Sequence, residues 1–306
     1  KNLVFKYDLN EIDFDKTTMC NAFVDYDEMM TNNGYFYNCY KFKNNLLPIY
    51  KSEAFGFFSN EKMDSITVYD IYCYDYNENK TKIAFEISKS TSIVDWEITN
   101  VKRDSIYINK RFQTNKYDSI FLSGFKILFP ESTFYDDVYL KLAKSFLKEY
   151  VPVYNINADY NNIPLQKAAK IEFKSSIKKN RNKIIVVRQD FKGKETALKT
   201  TFDKTTFYAE TKELGSFYLK YDTTNPIVEI LNENVFIHAK ISDELSGIDS
   251  YNGYIDNKWV NFYYDAKNDV IQYNFDEYCS KGEHLLKIIV TDKVGNKTTV
   301  QQKFTY

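Results

Sequence analysis

The sequence predicts an all-β protein made of consecutive antiparallel β-sandwich modules of immunoglobulin-like type. Apolar and polar residues alternate in short runs along almost the whole chain, for example over residues 65–72, 82–87 and 216–221. These runs are rich in β-branched and aromatic residues, and clusters of Asn, Asp, Gly and Lys separate them. This pattern is typical of antiparallel strands that bury one face. With 43% hydrophobic and 17% aromatic residues among 306, the chain has enough apolar surface for several cores.

Two clusters of turn residues divide the chain. Residues 88–92 separate two strand-like runs, and residues 221–226 end in Pro226, which disfavours a preceding helix and often opens a new strand. We therefore predict three modules: a β-sandwich over residues 1–89, a central β-rich module over 90–220 and an Ig-like sandwich over 221–306. The chain begins inside a strand-like run without an initiator Met, so we expect the first module to lack its N-terminal part.

One segment of the central module is as compatible with a helix as with a strand. Val138, Leu142 and Phe146 follow one another at intervals of four within residues 136–150. A helix there would be the exception to the all-β pattern.

The last module shows the clearest strand pattern. Its alternating runs cover residues 235–241, 258–262, 269–273, 284–290 and 298–304. Roughly seven strands joined by Gly and Asn turns are typical of an immunoglobulin-like sandwich. The alternation places Phe236, Leu286 and Ile288 inward, and Trp259 is large enough to anchor the core. We interpret His238 as a core or edge residue of its strand and His284 as the first residue of another.

Composition excludes several classes of function. The net charge of −1 provides no basic excess for nucleic acid. No apolar run approaches the ~18–20 residues that cross a bilayer, so we expect no membrane-spanning segment. The two His leave little material for a metal site, and the four Cys form no C-x-x-C pair. We interpret Cys20, Cys39, Cys73 and Cys279 as buried free thiols, and a disulfide within the first module is the alternative interpretation.

Several stretches resemble a known family. The turn Asp292-Lys293-Val294-Gly295-Asn296 resembles those of bacterial Ig-like repeats. Longer stretches, in the same order along the chain, resemble the region that follows the catalytic domain in Bacteroidota members of the LytM-type (lysostaphin-like) zinc endopeptidases, which cut peptidoglycan cross-bridges. These stretches are residues 14–26 with 39–40 and 46–50, residues 129–137 with 154–156 and 163–165, and residues 214–223 with 241–248.

The resemblance implies a location but no catalytic site. It implies a periplasmic or outer-membrane-associated envelope protein whose partners are outer-membrane proteins or peptidoglycan. The zinc site of that family needs a His-x-x-x-Asp pair and a His-x-His pair, and neither His238 nor His284 has such a neighbour. We therefore expect this chain to be non-catalytic and to contain no cofactor, with zinc confined to an upstream catalytic domain.

Three functions remain open. The first is a scaffold that holds a hydrolase or a partner at peptidoglycan or the outer membrane. The second is a structural subunit of an outer-membrane assembly or secretion machine, with vestigial peptidase ancestry. The third is a carbohydrate-binding module.

Acidic residues in the turns of the last module form a weak candidate for calcium binding. Asp243, Glu244, Asp249 and Asp292 lie in loops of one sandwich and would meet if these loops share one end. Ca²⁺ takes six to eight oxygen ligands, which such loops supply. Ordinary solvated turn residues are the favoured alternative.

Two further groups are candidates for partner binding. A basic stretch over residues 167–204 contains Lys174, Lys178, Lys179, Arg181 and Lys183. It would contact an anionic polymer or an acidic partner, although an exposed strand pair that uses Lys to protect its edge is the favoured alternative. The second group lies in the first module and consists of Tyr35, Tyr37 and Tyr40. We expect these residues to form a protein interface because Tyr is enriched at such surfaces, although AT-rich codon usage also explains many of the tyrosines.

Overall fold

A computed structural model describes residues 3–52, 55–56, 66–88, 107–147, 151–158, 162–233, 236–277 and 279–306. The chain forms two compact units, Lys1–Asp25 with Tyr35–Asp104, and Tyr26–Gly34 with Ser105–Tyr306. The sheets in both units are antiparallel, so the predicted all-β class is confirmed. The predicted boundary at residues 88–92 lies largely outside the described residues, and the division into three modules stays a prediction. Among the described helices, none combines the length and the apolar character needed to cross a bilayer.

The first unit contains a 3-10 helix over Phe14–Ala22 and a hairpin of strands β1 (Ile66–Tyr74) and β2 (Lys80–Ser88). A small apolar cluster centres on the buried residues Phe23, Leu47 and Ile49. The hairpin is mostly exposed along its length. The described part of this unit thus contains one two-stranded sheet, and the sandwich expected over residues 1–89 stays a prediction.

The second unit begins with helix α1 (Tyr26–Asn32) and a sandwich of eleven strands. One sheet has the order β10-β9-β13-β7-β6-β3 and the other the order β11-β12-β8-β5-β4. The strands are β3 (Tyr107–Phe112), β4 (Asp118–Leu122), β5 (Phe125–Phe129), β6 (Val138–Phe146), β7 (Pro152–Ala158), β8 (Ala169–Lys174), β9 (Ile184–Gln189), β10 (Glu195–Leu198), β11 (Thr201–Asp203), β12 (Thr206–Thr211) and β13 (Gly215–Tyr221).

Aromatic rings fill the space between these two sheets. Phe125 lies fully buried, with its ring centroid 4.5 Å from that of Tyr154 in a stacked arrangement and 4.9 Å from that of Phe173 at an edge. Such pairs add stabilisation beyond the area that they bury. Alternation along each strand therefore aligns Phe residues in one layer, and much of the aromatic content serves the core. The buried Phe residues of this cluster are Phe112, Phe125, Phe129, Phe134, Phe173, Phe207 and Phe217.

The helix considered for residues 136–150 is wrong. Residues 138–146 form strand β6, which pairs with β3 and β7. A spacing of four is even, so it also fits a strand, in which every second side chain shares a face. Leu140 and Leu142, two residues apart, are both fully buried. The neighbouring strands β3 and β7 supply the backbone hydrogen-bond partners, which a helix would find within itself.

A second sandwich follows, with two four-stranded sheets of order β14-β15-β19-β18 and β17-β16-β20-β21. The five runs expected in this module coincide with strands of the structure. Among the described strands, those before residue 222 pair only with one another, and so do those after it. The strands are β14 (Ile227–Glu233), β15 (Phe236–Ser242), β16 (Ile248–Ile255), β17 (Lys258–Val260), β18 (Tyr263–Asp265), β19 (Val270–Asn274), β20 (Glu283–Asp292) and β21 (Lys297–Thr305).

The core of the second sandwich differs from the expectation at one aromatic residue. Leu286 and Ile288 are buried as predicted, and Phe236 is half-buried, but the side chain of Trp259 is 59% exposed. In strand β17 the next residue, Val260, faces inward instead, and Phe262 supplies the buried ring. This ring lies against the backbone of Gly253, where a Cβ atom would come within 2.1 Å of it.

Candidate functional site

The two sandwiches of the second unit meet through an apolar contact. Ile185 and Val187 of β9 and Tyr218 of β13 project from the outer face of the six-stranded sheet, and they pack with Leu245 and Val294 from two loops of the second sandwich. The alternate residues of β9 point into the first core, so this strand is buried on both faces. Covering an outer sheet face in this way fixes one sandwich against the other.

A polar seam borders the apolar contact. The side-chain Nδ2 of Asn296 donates hydrogen bonds to the carbonyl oxygen of Asp222 at 3.1 Å and to Oδ2 of Asp292 at 2.6 Å. Its Oδ1 accepts a hydrogen bond from Nζ of Lys183 at 2.6 Å. The backbone N–H of Ser246 donates to Oδ2 of Asp222 at 3.1 Å. One buried amide thus joins the first sandwich, the linker and a loop of the second sandwich.

Two aspartates of the second sandwich cap their own loops. Oδ2 of Asp243 accepts hydrogen bonds from the backbone N–H of Leu245 at 3.1 Å and of Gly247 at 2.7 Å. Oδ1 of Asp292 accepts one from the backbone N–H of Asn296 at 2.7 Å. Asp is favoured at such turns because its short side chain reaches the backbone two to four residues further along.

Three carboxylates converge at this seam. Asp222, Asp243 and Asp292 each provide one oxygen atom, and these three oxygens lie within 4.8 Å of one another. Asp222 is 2% exposed and Asp292 is 1% exposed. Asp243 is half-buried, and its Oδ1 is a buried atom with no hydrogen-bond partner in the described part of the chain. Within the described residues this is the one group of three or more possible metal-ligating side chains. Hard oxygen donors suit Ca²⁺ or Mg²⁺ better than zinc.

The structure corrects the predicted set of acidic residues. It brings Asp243 and Asp292 together but leaves Glu244 and Asp249 exposed and outside the group. The third carboxylate belongs to Asp222, which directly follows β13 and was interpreted only as part of a module boundary. It contacts the second sandwich through the backbone N–H of Ser246 and the side chain of Asn296, so no local pattern in the sequence identifies it.

The two histidines are engaged separately. Nδ1 of His284 lies 2.6 Å from Oδ2 of Asp256, and Nε2 lies 2.7 Å from the carbonyl oxygen of Ser280. Both partners accept hydrogen bonds, so both ring nitrogens donate, and the hydrogen bond to Asp256 raises the pKa of His284 while lowering that of Asp256. The ring of His238 lies 4.2 Å from that of Phe236 at an interplanar angle of 39°, and its Nε2 is buried without a partner among the described residues.

The basic candidates separate into exposed and structural residues. Lys174, Lys178 and Lys179 are exposed and available to a partner. Arg181 is half-buried, and its guanidinium carbon lies 4.8 Å from the ring centroid of Phe202. Its two terminal guanidinium N–H groups donate hydrogen bonds to the carbonyl oxygens of Asp203 and Lys204. Lys183, as described above, bonds to the junction amide. The basic stretch is therefore not one continuous surface.

The interpretation of this stretch as a lysine-protected strand pair is wrong for β8 and β9, whereas β10 and β11, which the stretch also contains, are edge strands of their sheets. Strand β8 lies between β12 and β5, and strand β9 lies between β10 and β13. Both are interior strands of different sheets, so their lysines protect no edge. The lysines instead occupy the solvent-facing positions of β8 and the loop that follows it.

The tyrosine candidates lie in the first unit. Tyr35 is 72% exposed, and Tyr37 is half exposed with its ring 5.2 Å from that of Phe23. Tyr40 is half-buried, with its ring edge-on to Phe42 at 5.1 Å. These positions leave aromatic surface accessible, and the interface expected there stays a prediction.

All four cysteines are free thiols. Cys279 is buried and Cys20 is half-buried, and burial raises the pKa of both thiols. A raised pKa keeps a thiol protonated and unreactive. Cys39 and Cys73 are exposed, so the interpretation of buried thiols holds for only part of the set.

Hydrogen bonds from Asn162 to Asp27 hold helix α1 against the first sandwich, next to an ion pair of a buried arginine. Arg188 is 6% exposed, and its guanidinium lies 2.7 Å from Oε2 of Glu213 and donates to the carbonyl oxygen of Leu214 at 2.8 Å. Next to it, Oδ1 of Asp27 in α1 accepts two hydrogen bonds from Asn162. The cavity between them has a volume of about 10 Å³, room for a single water molecule.

The fold and the junction define a multi-sandwich β protein whose second unit has an acidic seam between two docked sandwiches. A family model described as a Zu5-like domain matches residues 109–222. The match covers less than half of the chain and coincides with the first sandwich from β3 to the aspartate after β13. No curated protein matches the chain.

Proposed function

We propose that this chain is a non-catalytic positioning region of a cell-envelope protein related to the LytM-type zinc endopeptidases. It holds a hydrolase or a partner protein at peptidoglycan or the outer membrane. The resemblance along the sequence supports the envelope assignment. The observation that carries the positioning role is the fixed junction between the two sandwiches.

Domains joined by a linker move relative to one another unless their interface is substantial. Here the backbone N–H of Asp222, directly after β13, donates to the carbonyl oxygen of Lys183 at 2.8 Å. Four residues later, the carbonyl oxygen of Pro226 accepts a hydrogen bond from the hydroxyl of Thr298. A linker held at both ends leaves little freedom for rotation, so the pair of sandwiches transmits a defined orientation to whatever is attached.

Small-angle scattering of the whole chain tests the rigidity. Replacing Val294 with Asp places a charge in the apolar contact and is expected to broaden the distribution of interatomic distances. Ile227→Asp is the matched control, because Ile227 is 54% exposed on the same sandwich. Equal scattering profiles for the two variants would refute a junction held by this contact.

Sedimentation with purified peptidoglycan, and hydrolysis of dye-labelled peptidoglycan in the presence of zinc, test the envelope role. We expect the chain to sediment with peptidoglycan or to be isolated with outer-membrane proteins, and to release no dye. Zinc-dependent release of dye would contradict the non-catalytic assignment. Binding that isolated sugar chains abolish would instead favour the carbohydrate-binding module.

A second candidate function, a structural subunit of an outer-membrane assembly, is favoured by the β1–β2 hairpin. On one of its faces Ile71 lies opposite Ile83, and the ring of Tyr69 stacks on that of Phe85 at 5.7 Å. Ile83 is 59% exposed and Phe85 is 36% exposed. An isolated two-stranded hairpin is marginally stable in water, and this face suits docking to another protein.

Isolation of the envelope complex tests this candidate. Ile83→Asp is expected to remove outer-membrane proteins that are otherwise recovered in stoichiometric amounts. Ala84→Asp, one residue further on the opposite face of β2, is expected to retain them. Equal recovery with both variants would exclude the hairpin as the docking surface.

A further inference from the structure

We propose that Asp222, Asp243 and Asp292 bind a Ca²⁺ ion at the junction of the two sandwiches. The proposal depends on the geometry of this junction and not on the envelope role, so either can fail without the other.

The spacing of the three oxygens fits one ion. Calcium–oxygen distances of about 2.3–2.6 Å place two ligands of the same ion at most about 5 Å apart. The three carboxylate oxygens lie within 4.8 Å of one another. Water and nearby carbonyl oxygens supply the remaining positions, which Ca²⁺ tolerates because its coordination geometry is flexible.

A second observation points to a ligand independently of the clustering. Oδ2 of Asp243 accepts hydrogen bonds from the backbone and the hydroxyl of its own loop, whereas Oδ1 is buried and receives none from any residue that the structure describes. A buried carboxylate oxygen without a donor is costly because it has lost water without a replacement. A cation at the centre of the group would satisfy it.

The charges around the site favour a bound cation. Within the described residues, no Lys or Arg forms an ion pair within 4.0 Å with any of the three carboxylates. Two ammonium groups lie beside the loops of the site without pairing with its carboxylates: Nζ of Lys183 contacts the neutral oxygen of Asn296, and Nζ of Lys293 lies 3.2 Å from the position that a Cβ atom of Gly247 would occupy. Three like charges, two of them buried, repel one another strongly at this distance. A divalent ion converts that repulsion into attraction.

The position of the site gives the ion a structural role. Asp222 belongs to the linker after β13, and Asp243 and Asp292 belong to two loops of the second sandwich. An ion held by all three would lock the linker against both loops that carry the apolar contact. Sites with few protein ligands in extracellular modules bind Ca²⁺ with a Kd of roughly 0.1–1 mM, so occupancy would follow the calcium concentration outside the cytosol.

Calorimetric titration and thermal unfolding of the whole chain test the proposal. After treatment with EDTA and dialysis, titration with CaCl₂ is expected to give saturable heat. At a free Ca²⁺ concentration roughly ten times Kd, the ratio of folded to unfolded protein is expected to rise about elevenfold. MgCl₂ is expected to have a smaller effect, because Mg²⁺ gives up its water reluctantly. Absence of both heat and a Tm shift at about 10 mM CaCl₂, tenfold above the weakest such sites, would overturn the proposal.

Two isosteric variants locate the effect. Asp243→Asn keeps the hydrogen bonds of its loop but removes one charge, so it is expected to abolish the calcium response and to raise Tm in EDTA, because repulsion falls. Asp265→Asn is the control: Asp265 caps a turn of the same sandwich in the same manner, outside the cluster, and should retain the response. A calcium response that persists in Asp243→Asn would refute the assignment. If that variant does not fold, Asp222→Asn replaces it with the same two expectations.

Discussion

Replacing Asn296 with Ala is the sharpest test of the junction. Asn296 is 8% exposed and makes three side-chain hydrogen bonds that join the linker, a loop and the first sandwich. The variant removes all three without placing new atoms in the interface. It therefore measures the seam itself and creates no steric conflict.

The magnitude follows from the character of the three bonds. The bond to the carbonyl oxygen of Asp222 is neutral and contributes about 0.5–1.5 kcal/mol, and the bond to the carboxylate of Asp292 contributes about 1.5–3 kcal/mol. The bond from Lys183 adds little, since its partly exposed ammonium can return to water. We expect Asn296→Ala to lower the free energy of unfolding by about 2–4 kcal/mol.

Urea unfolding followed by tryptophan fluorescence measures this change. Asn268→Ala is the matched control, because Asn268 makes one exposed side-chain hydrogen bond in a turn of the same sandwich, and its loss costs about 0.5 kcal/mol. Scattering by the two variants reports whether the sandwiches also separate. If Asn296→Ala unfolds at the same urea concentration as the control, the seam does not stabilise the junction and the reasoning is wrong.

Three further predictions concern stability. Gly253→Ala should cost at least about 2 kcal/mol because its Cβ atom would lie 2.1 Å from the ring of Phe262, and Phe262→Leu in the same chain should recover part of the loss in urea unfolding. The pKa of His284 is raised in the folded protein, so its protonated ring stabilises the fold fully below about pH 6.5, and this stabilisation is lost as the pH rises through the folded pKa. The Tm of His284→Gln should lack this pH dependence. Gly215→Ala should lower Tm more than Gly282→Ala. Both glycines have φ near +145°, but only a Cβ atom at Gly215 would meet a backbone carbonyl oxygen, at 2.5 Å. Equal losses of Tm would assign the cost to backbone strain alone.

Much of the fold was predictable because strand alternation is a local property. The five runs expected in the last module all form strands, and the inward positions of Leu286 and Ile288 follow from the same period. The failures have local causes too. An even spacing of four does not separate a helix from a strand at residues 138–146, and size alone does not decide whether Trp259 or its neighbour faces the core.

The junction was not predicted because it depends on contacts between distant segments. Residues 184–187 form an unbroken β-branched run, Ile-Ile-Val-Val, where alternation would place polar residues. Such a run is typical of a strand buried on both faces, and it was the available signal that a second body covers the sheet. Asp222 joins the acidic group only through the docking of the second sandwich, so no local pattern identifies it.

The double burial of β9 limits where the chain can be cut. A fragment ending at residue 222, the limit of the Zu5-like match, would lose Leu245 and Val294 and leave Ile185 and Val187 uncovered on the outer face of the sheet. The fragment would then associate with itself through this apolar face, and its oligomeric state would result from the truncation. Biochemical work on the first sandwich therefore requires its neighbour in the same polypeptide.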